Sequence, residues 1–357
     1  MAATQEEVKT LYGLDELEVH ALMESEKVPA YRGKQLLEWL YQKHISDLSE
    51  AKNLPLDLRN RLLEKYKLSA LRFCNDHESS NLESRKYLFE THDGRFLESV
   101  LIVQHDRRTV CVSTQLGCKI GCSFCASGKG KFGRDLTPGE IIEQIVWIEK
   151  AIKQPVTNIV FMGMGEPLDN FEATMKTLKI LQAEWGFNMG ARRITVSTSG
   201  ITPKIVEFVK RSEGRVRLSV SLHSSVEQKR NELVPINRKY SIEELRKTLK
   251  QLHRKLKREI TFEYTLIHNV NDSDQEAKGV AAIAKPLDAK VNIIPYNPIR
   301  EMPYESPTPE KTKHFAEMLL DRGIRATVRQ TAGRDIDAAC GQLRLDRESQ
   351  ILPPNKA

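Results

Sequence analysis

What most constrains this chain is an alternation that begins at residue 109. Strand-like runs recur as TVCVS (109–113), NIVFM (158–162), RITVST (193–198), RLSVSL (217–222), ITFEYTLI (260–267) and VNIIPY (291–296), with ATVRQ (326–330) as a candidate seventh. The stretches between them read as helices. The first opens on Thr137-Pro138-Gly139-Glu140: a capping Thr, Pro at the first helical position, and Glu three residues after the cap. Ile141, Ile145, Ile148 and Ile152 then share one face. Strands separated by helices pair in parallel, because a crossover is what parallel neighbours require. The pattern predicts an α/β fold of about six parallel strands, too few for a complete eight-stranded barrel. An open, partial (β/α) TIM-like barrel and a doubly wound sheet both satisfy it, and both place a site at the C-terminal strand ends.

The preceding residues follow other rules. From about 14 to 72 the sequence reads as helices, with Leu36, Leu37, Trp39, Leu40 and Tyr41 on an apolar face and Pro55 opening a second amphipathic run. NDHESSNL (75–82) is polar and reads as a linker. RKYLFET (85–91) and FLESVLIV (96–103) flank the turn signal His92-Asp93-Gly94 and predict a β-hairpin. The expected organisation is a helical domain over 1–80, a linker and hairpin over 81–108, a strand–helix core over 109–345 and a tail over 346–357.

Charge is divided unevenly. Residues 1–80 hold 11 Lys+Arg against 14 Asp+Glu, whereas the remainder holds 44 against 34. A polyanion such as RNA would be drawn to the larger part. No stretch approaches the roughly 20 apolar residues that span a bilayer, and MAATQEEVKT lacks a signal peptide's apolar core. A cytoplasmic protein with no membrane association is expected.

The sharpest chemical signal is Cys118-Lys-Ile-Gly-Cys122-Ser-Phe-Cys125, directly after the first strand of the alternation. Three thiolates on one loop can each hold one corner of an iron–sulfur cubane, leaving the fourth iron open to a small molecule. Gly117 and Gly121 let the backbone wrap closely. Zinc is the alternative, but structural zinc closes with four ligands, and no partner Cys-x₂-Cys or His pair follows nearby. Met162-Gly163-Met164-Gly165-Glu166-Pro167 comes after the second strand, where glycines permit close approach and Glu166 can accept hydrogen bonds from an ammonium group. Further stretches are S-T-S-G (197–200), S-L-H (221–223), E-L-V-P-I-N (232–237), N-I-I-P-Y-N-P (292–298) and D-I-D-A-A-C-G-Q-L (335–343).

From about residue 85 to 345 these motifs resemble the RlmN/Cfr family of radical S-adenosylmethionine (SAM) RNA methyltransferases, which methylate adenines at ring carbons. The resemblance implies a partial barrel over 109–345, one [4Fe–4S] cluster on Cys118, Cys122 and Cys125, and SAM chelating its open iron. In that family an electron from the cluster cleaves SAM to methionine and a 5′-deoxyadenosyl radical, and two SAM are consumed per methylation. Radical chemistry suits the substrate, because carbon 2 of adenine lies between two ring nitrogens and is too electron-poor to attack a methyl group itself.

The resemblance also assigns roles. Cys340 corresponds to the cysteine that carries the methyl group and forms a covalent adduct with RNA. Cys111, seven residues before Cys118, corresponds to the cysteine that resolves the adduct as a Cys111–Cys340 disulfide. Glu98 corresponds to a proton acceptor. On pattern alone, Cys111 is a small core residue, Glu98 an exposed strand residue and Cys74 structural. SAM contacts carry over to Gly165, Glu166, Ser197, the Ser221-Leu222-His223 segment and Asn297, each of which could equally be a strand-end cap or turn. Lys129, Lys131, Arg134, Arg192, Arg193, Arg300, Arg329 and Arg334 are candidates to grip phosphates. The basic run LRKTLKQLHRKLKR (245–258) reads as a solvated helix face.

The implied reaction is methylation of carbon 2 of an adenosine in 23S rRNA, at the peptidyl transferase centre, and of the adenosine next to the anticodon in tRNA. Pro167 favours this branch over the antibiotic-resistance branch, which methylates carbon 8 and typically has Ala at that position. A non-catalytic metal-containing RNA-binding protein is the alternative from another class. An electron donor such as flavodoxin is implied, and a monomer is expected.

Overall fold

The computed structural model describes residues 8–300, 302–329 and 333–343; the tail expected over 346–357 lies outside them. Ten strands form one sheet in strict chain order: β1 (Leu71–Glu78), β2 (Ser84–Thr91), β3 (Phe96–Gln104), β4 (Arg107–Cys111), β5 (Asn158–Phe161), β6 (Ile194–Thr198), β7 (Arg217–Ser221), β8 (Thr261–Leu266), β9 (Lys290–Pro295) and β10 (Ala326–Val328). β1 to β4 pair antiparallel, and β4 to β10 pair parallel. The α-helices are α1 (Glu16–Ser25), α2 (Tyr31–Tyr41), α3 (Leu56–Lys65), α4 (Ala126–Lys129), α5 (Pro138–Ile152), α6 (Phe171–Gln182), α7 (Thr202–Arg211), α8 (Glu227–Leu233), α9 (Ile242–Leu252), α10 (Asp274–Ala284) and α11 (Pro309–Leu320).

The parallel half bears out the α/β reading, and ATVRQ supplies the last strand. Thr137 caps α5 as its sequence predicts, with the Glu140 side chain accepting from the Thr137 N–H at 2.9 Å. Ile141, Ile145 and Ile148 are fully buried. Among the described residues no ladder joins β10 to β1. The segment 333–343 reaches across: the Asp335 carboxylate accepts from the Ser80 N–H at 2.8 Å, and Lys86 Nζ donates to Asp337 O at 3.5 Å.

The antiparallel part is larger than a hairpin. Residues 75–78, read as linker, complete β1, and β1 pairs with β2 from Leu71 to Glu78 with an irregularity at Cys74. NDHE has little β propensity of its own; this edge strand is held by its ladder and by Phe73, which stacks on Trp147 of α5.

The helical region docks through buried polar contacts. Tyr41 Oη accepts from the Gly13 N–H at 2.9 Å and donates to Leu14 O at 2.7 Å, while its ring packs against Trp185 and Phe187. Glu143 of α5 accepts from the Ala70 and Leu71 N–H groups at 2.8 and 3.0 Å and from the Ser69 hydroxyl. Burial pushes the Glu143 carboxyl up to about 7. No helix among the described residues is long and apolar enough to cross a membrane.

Candidate active site

The period-2 alternation of strands decides which side chains face the barrel interior. In β6, Ile194, Val196 and Thr198 are buried while Thr195 and Ser197 are half-buried. Ser197, Ser221, Glu263 and Thr265 thus line the interior together with Gly163, Gly165, Glu166 and His223. Cys118, Cys122 and Cys125 close the other wall of this cavity of about 150 Å³.

The three cysteines sit on a loop packed onto a small apolar cluster of Ile120, Phe124, Ile201, Leu233, Val234, Ile267 and Tyr296. The loop is pinned by the Ser123 N–H donating to Leu233 O at 3.1 Å and the Cys125 N–H donating to Cys122 O at 3.2 Å. Burial, followed by the neighbouring thiol of Cys125 and by Glu166, raises Cys118 to about 12. Burial and the two neighbouring thiols likewise push Cys122 well above its ordinary value. Three thiols so placed stay protonated unless a cation compensates their charge, which is the donor chemistry an iron–sulfur cluster needs. No three His, Cys, Asp or Glu among the described residues converge on one point as ligands of a single ion do; cluster thiolates bind separate irons and stand further apart.

Opposite the thiols, Gly165 has φ of +101°, and a Cβ there would lie 2.6 Å from Gln115 Cβ. No side chain fits that position. The turn delivers Glu166, whose carboxylate accepts from the Ser199 N–H at 2.7 Å and the Leu168 N–H at 3.1 Å. Burial raises its carboxyl above the ordinary range. His223, in the left-handed region at φ 56°, accepts at Nδ1 from the Thr265 N–H at 2.9 Å. Burial, then the nearby Arg230, lowers its ring to about 3, so it stays neutral. Leu222 contributes backbone only; its side chain is wholly buried in the core.

Cys111 and Cys340 meet at a second cavity, shared with Val100, Ile102, Cys125, Met162, Asn297 and Arg329. Cys340 lines both cavities. Burial, then Cys340, pushes the Cys111 thiol up to about 12. The Cys340 segment is clamped on several sides: the Ala126 N–H donates to Gly341 O at 2.7 Å, the Ser127 hydroxyl to Leu343 O at 2.8 Å, and Asn297 Nδ2 to Cys340 O at 3.3 Å. The Asn297 amide is thus engaged by this segment and lines the second cavity rather than the first.

Three residues depart from their sequence reading. Glu98 is 1% exposed rather than a surface strand residue, and it pairs with Lys86 at 3.0 Å. It lies on β3 two residues before Val100, on the same face, because this half of the sheet also turns an inner face to the site. Arg134 does not present itself to phosphate; it forks onto Asp93 and Glu140. Arg329 turns inward, its Nη1 lying 3.3 Å from Cys340 Sγ, and the nearby thiol raises its pKa. Arg334 donates to Asn297 Oδ1 at 3.3 Å. Lys129, Lys131, Arg192, Arg193 and Arg300 stay exposed. Glu263 was not singled out in the sequence; its inward position on β8 is the only signal, and Ser219 and Asn292 hold its carboxylate at 2.6 and 2.7 Å.

Residues 112–278 match the Radical SAM superfamily model, and residues 9–68 match the ribosomal RNA large subunit methyltransferase N-terminal domain. A probable dual-specificity RNA methyltransferase RlmN from Clostridium botulinum (strain Alaska E43 / Type E3) is 41% identical over 93% of this chain and 95% of its own length. The chain belongs to the RlmN family of radical SAM RNA methyltransferases. The dual-specificity RNA methyltransferase RlmN of Nautilia profundicola is 40% identical over 90% of this chain and 95% of its own length. The crystal structure of a radical SAM methyltransferase from Sphaerobacter thermophilus superposes with a TM-score of 0.90 at 43% identity, covering 95% of this chain and all of that one. An iron–sulfur cluster and SAM follow from membership of the radical SAM family, and RNA as substrate follows from the RlmN family.

Proposed function

We propose that this enzyme methylates carbon 2 of an adenosine in 23S rRNA, at the peptidyl transferase centre, and of the adenosine next to the anticodon in tRNA. The observation that carries this reading is the sharing of Cys340 between two cavities, one walled by the three-cysteine loop and one holding Cys111. Cys118, Cys122 and Cys125 would hold the cluster. Gly165, Glu166, Ser197, Ser221, Leu222 (through its backbone) and His223 would bind SAM, with Asn297 acting at the Cys340 segment. When bound, these groups supply the methyl group and the one-electron chemistry that activates it.

The chain's own residues do the rest. Cys340 carries the methyl group as a thioether; once one hydrogen atom has left that methyl for the radical that the bound cofactors would supply, its carbon would bond to carbon 2 of adenine. Glu98 accepts the proton that leaves ring carbon 2, with Lys86 balancing its charge, and the surplus electron would return to the bound cluster. The Cys111 sulfur then attacks the Cys340 sulfur, breaking the sulfur–carbon bond; the freed carbon takes a proton and leaves as methyladenine. An external dithiol returns the disulfide to two thiols. We place the enzyme in the cytoplasm as a monomer, with a small reductant such as flavodoxin reducing the cluster.

The test is anaerobic: reconstitute iron and sulfide, add SAM, reductant and unmodified 23S rRNA or tRNA, digest, and separate methyladenosine isomers by chromatography and mass spectrometry. 2-Methyladenosine is expected, absent in Cys340→Ala, and a protein–RNA adduct should accumulate in Cys111→Ser. 8-Methyladenosine would move the enzyme to the other branch. Undiminished methylation by Cys340→Ala would end the methyl-cysteine reading.

A further inference from the structure

Among the described residues Arg230 is the largest fully buried side chain, at 0% exposure. It belongs to α8 and makes no ion pair among the described residues. Burying a guanidinium with no carboxylate in direct contact is costly, and Glu227 answers its charge only through Asn237, so its surroundings show what it does. Nε donates to Leu222 O at 3.0 Å, Nη2 to Ser221 O at 2.9 Å and to Ser199 O at 2.7 Å, and Nη1 to Asn237 Oδ1. One rigid fork therefore ties the C-terminal ends of β6 and β7 to each other and to α8. These are the ends that face the larger cavity.

The peptide groups on either side extend this reach. The Ser199 N–H holds the Glu166 carboxylate at 2.7 Å while the Ser199 carbonyl is held by Arg230. Leu233, at the end of α8, accepts from the Ser123 N–H of the three-cysteine loop. The same helix end packs into the apolar cluster that supports Cys118, Cys122 and Cys125. At Gly200 a Cβ would approach Nη2 to 3.3 Å, so the fork fills its space. α8, which carries Arg230, is thus in direct contact with the loop that carries Cys122.

We propose that Arg230 is a positioning residue that sets the SAM-facing ends of β6 and β7, and that its charge favours the added electron on a cluster held by Cys118, Cys122 and Cys125. This rests on the cluster assignment above. The two roles separate chemically. A lysine keeps the charge but, as a single point, cannot bridge three carbonyls. A glutamine loses the charge as well. Reduction potentials of such clusters follow nearby charge, a cation making reduction easier.

The experiment compares wild type, Arg230→Lys and Arg230→Gln, each reconstituted and matched for iron and sulfide content. The midpoint potential is read by redox titration with electron paramagnetic resonance, without SAM. SAM affinity is read separately by equilibrium dialysis. Arg230→Lys is expected to keep the wild-type potential and to bind SAM at least tenfold more weakly. Arg230→Gln is expected to show both weaker binding and a more negative potential. Wild-type SAM affinity in Arg230→Lys would overturn the positioning role. A potential that falls equally in both variants, or in neither, would overturn the charge role. If Arg230→Gln does not fold, Arg230→Lys decides the positioning role by its SAM affinity, and Glu227→Gln, which removes the counter-charge, decides the charge role: a less negative potential is expected and an unchanged one overturns it. Failure of wild type to take up a cluster would instead strike the cluster assignment itself.

Discussion

Replacing Arg134 by Met tests whether this residue holds the fold or the RNA. Its guanidinium reaches Glu140 at 2.7 and 2.8 Å and Asp93 at 2.9 and 3.1 Å. The two carboxylate side chains are 0% and 2% exposed. Removing the cation leaves two buried acids side by side, and breaking a buried pair in this way costs about 3–5 kcal/mol. An unfolding entropy of about 2.1 cal/mol/K per residue gives roughly 0.75 kcal/mol per degree for 357 residues unfolding together. The melting temperature of Arg134→Met should therefore fall by about 4–7 °C at pH 7, read by calorimetry or circular dichroism. Burial acts to raise the Asp93 carboxyl, but Arg134 and Thr91 overcome it and hold the group below its ordinary value. Its contribution is complete above the usual carboxylate range and is lost as pH falls through the depressed value. The gap between wild type and variant should accordingly narrow in strong acid. Lys131→Met, at an exposed position, should stay within about 0.5 kcal/mol of wild type. An unchanged melting temperature in Arg134→Met, accompanied by weakened RNA binding, would refute the argument and restore Arg134 as a phosphate ligand.

Other outcomes follow from the same geometry. Gly165→Ala should destabilise the chain by at least about 1–3 kcal/mol, because both its backbone angle and its contact with Gln115 forbid a side chain; denaturant melts and SAM dialysis would both register it. Glu143, raised to about 7 by burial, keeps its proton when folded over a range where the unfolded chain has lost it. Its stabilisation is therefore full below about pH 4.5 and is lost as pH rises to about 7. Glu143→Gln should gain on wild type by roughly 3 kcal/mol between pH 4 and pH 8, and parallel pH–stability curves would contradict this. Cys111→Ser should lower stability by about 1–3 kcal/mol, since it sets a hydroxyl in a buried apolar place; a larger loss would make Cys111 chiefly a packing residue.

The parallel half of the fold was legible because buried parallel strands are continuous apolar runs and their crossover helices carry periodic apolar faces. β1 was not, because an edge strand needs only half the burial of a central one, and Asn75, Asp76 and His77 carry no apolar alternation. The cysteine loop and Gly165-Glu166 were legible through spacing. The inward turns of Glu98 and Arg329 were not, since a charged residue on a strand reads as exposed until the partner that neutralises it is known. For Glu98 that partner is Lys86, on a neighbouring strand. Arg230 was missed for a related reason: three of its four acceptors are backbone carbonyls, which leave no trace in residue identity.

Each strand pairs with its predecessor in the chain, so the sheet can grow at one edge without any late strand inserting between earlier ones. Such a topology rewards local closure and shortens the search for partners. The exception is the segment after β10, which must return to Ser80 and Lys86 beside the first strands. Cys340 travels with that segment. The place of Cys340 beside the three-cysteine loop is thus set by contacts far apart in the sequence, with Ser80 and Lys86 on one side and Ala126 and Ser127 on the other.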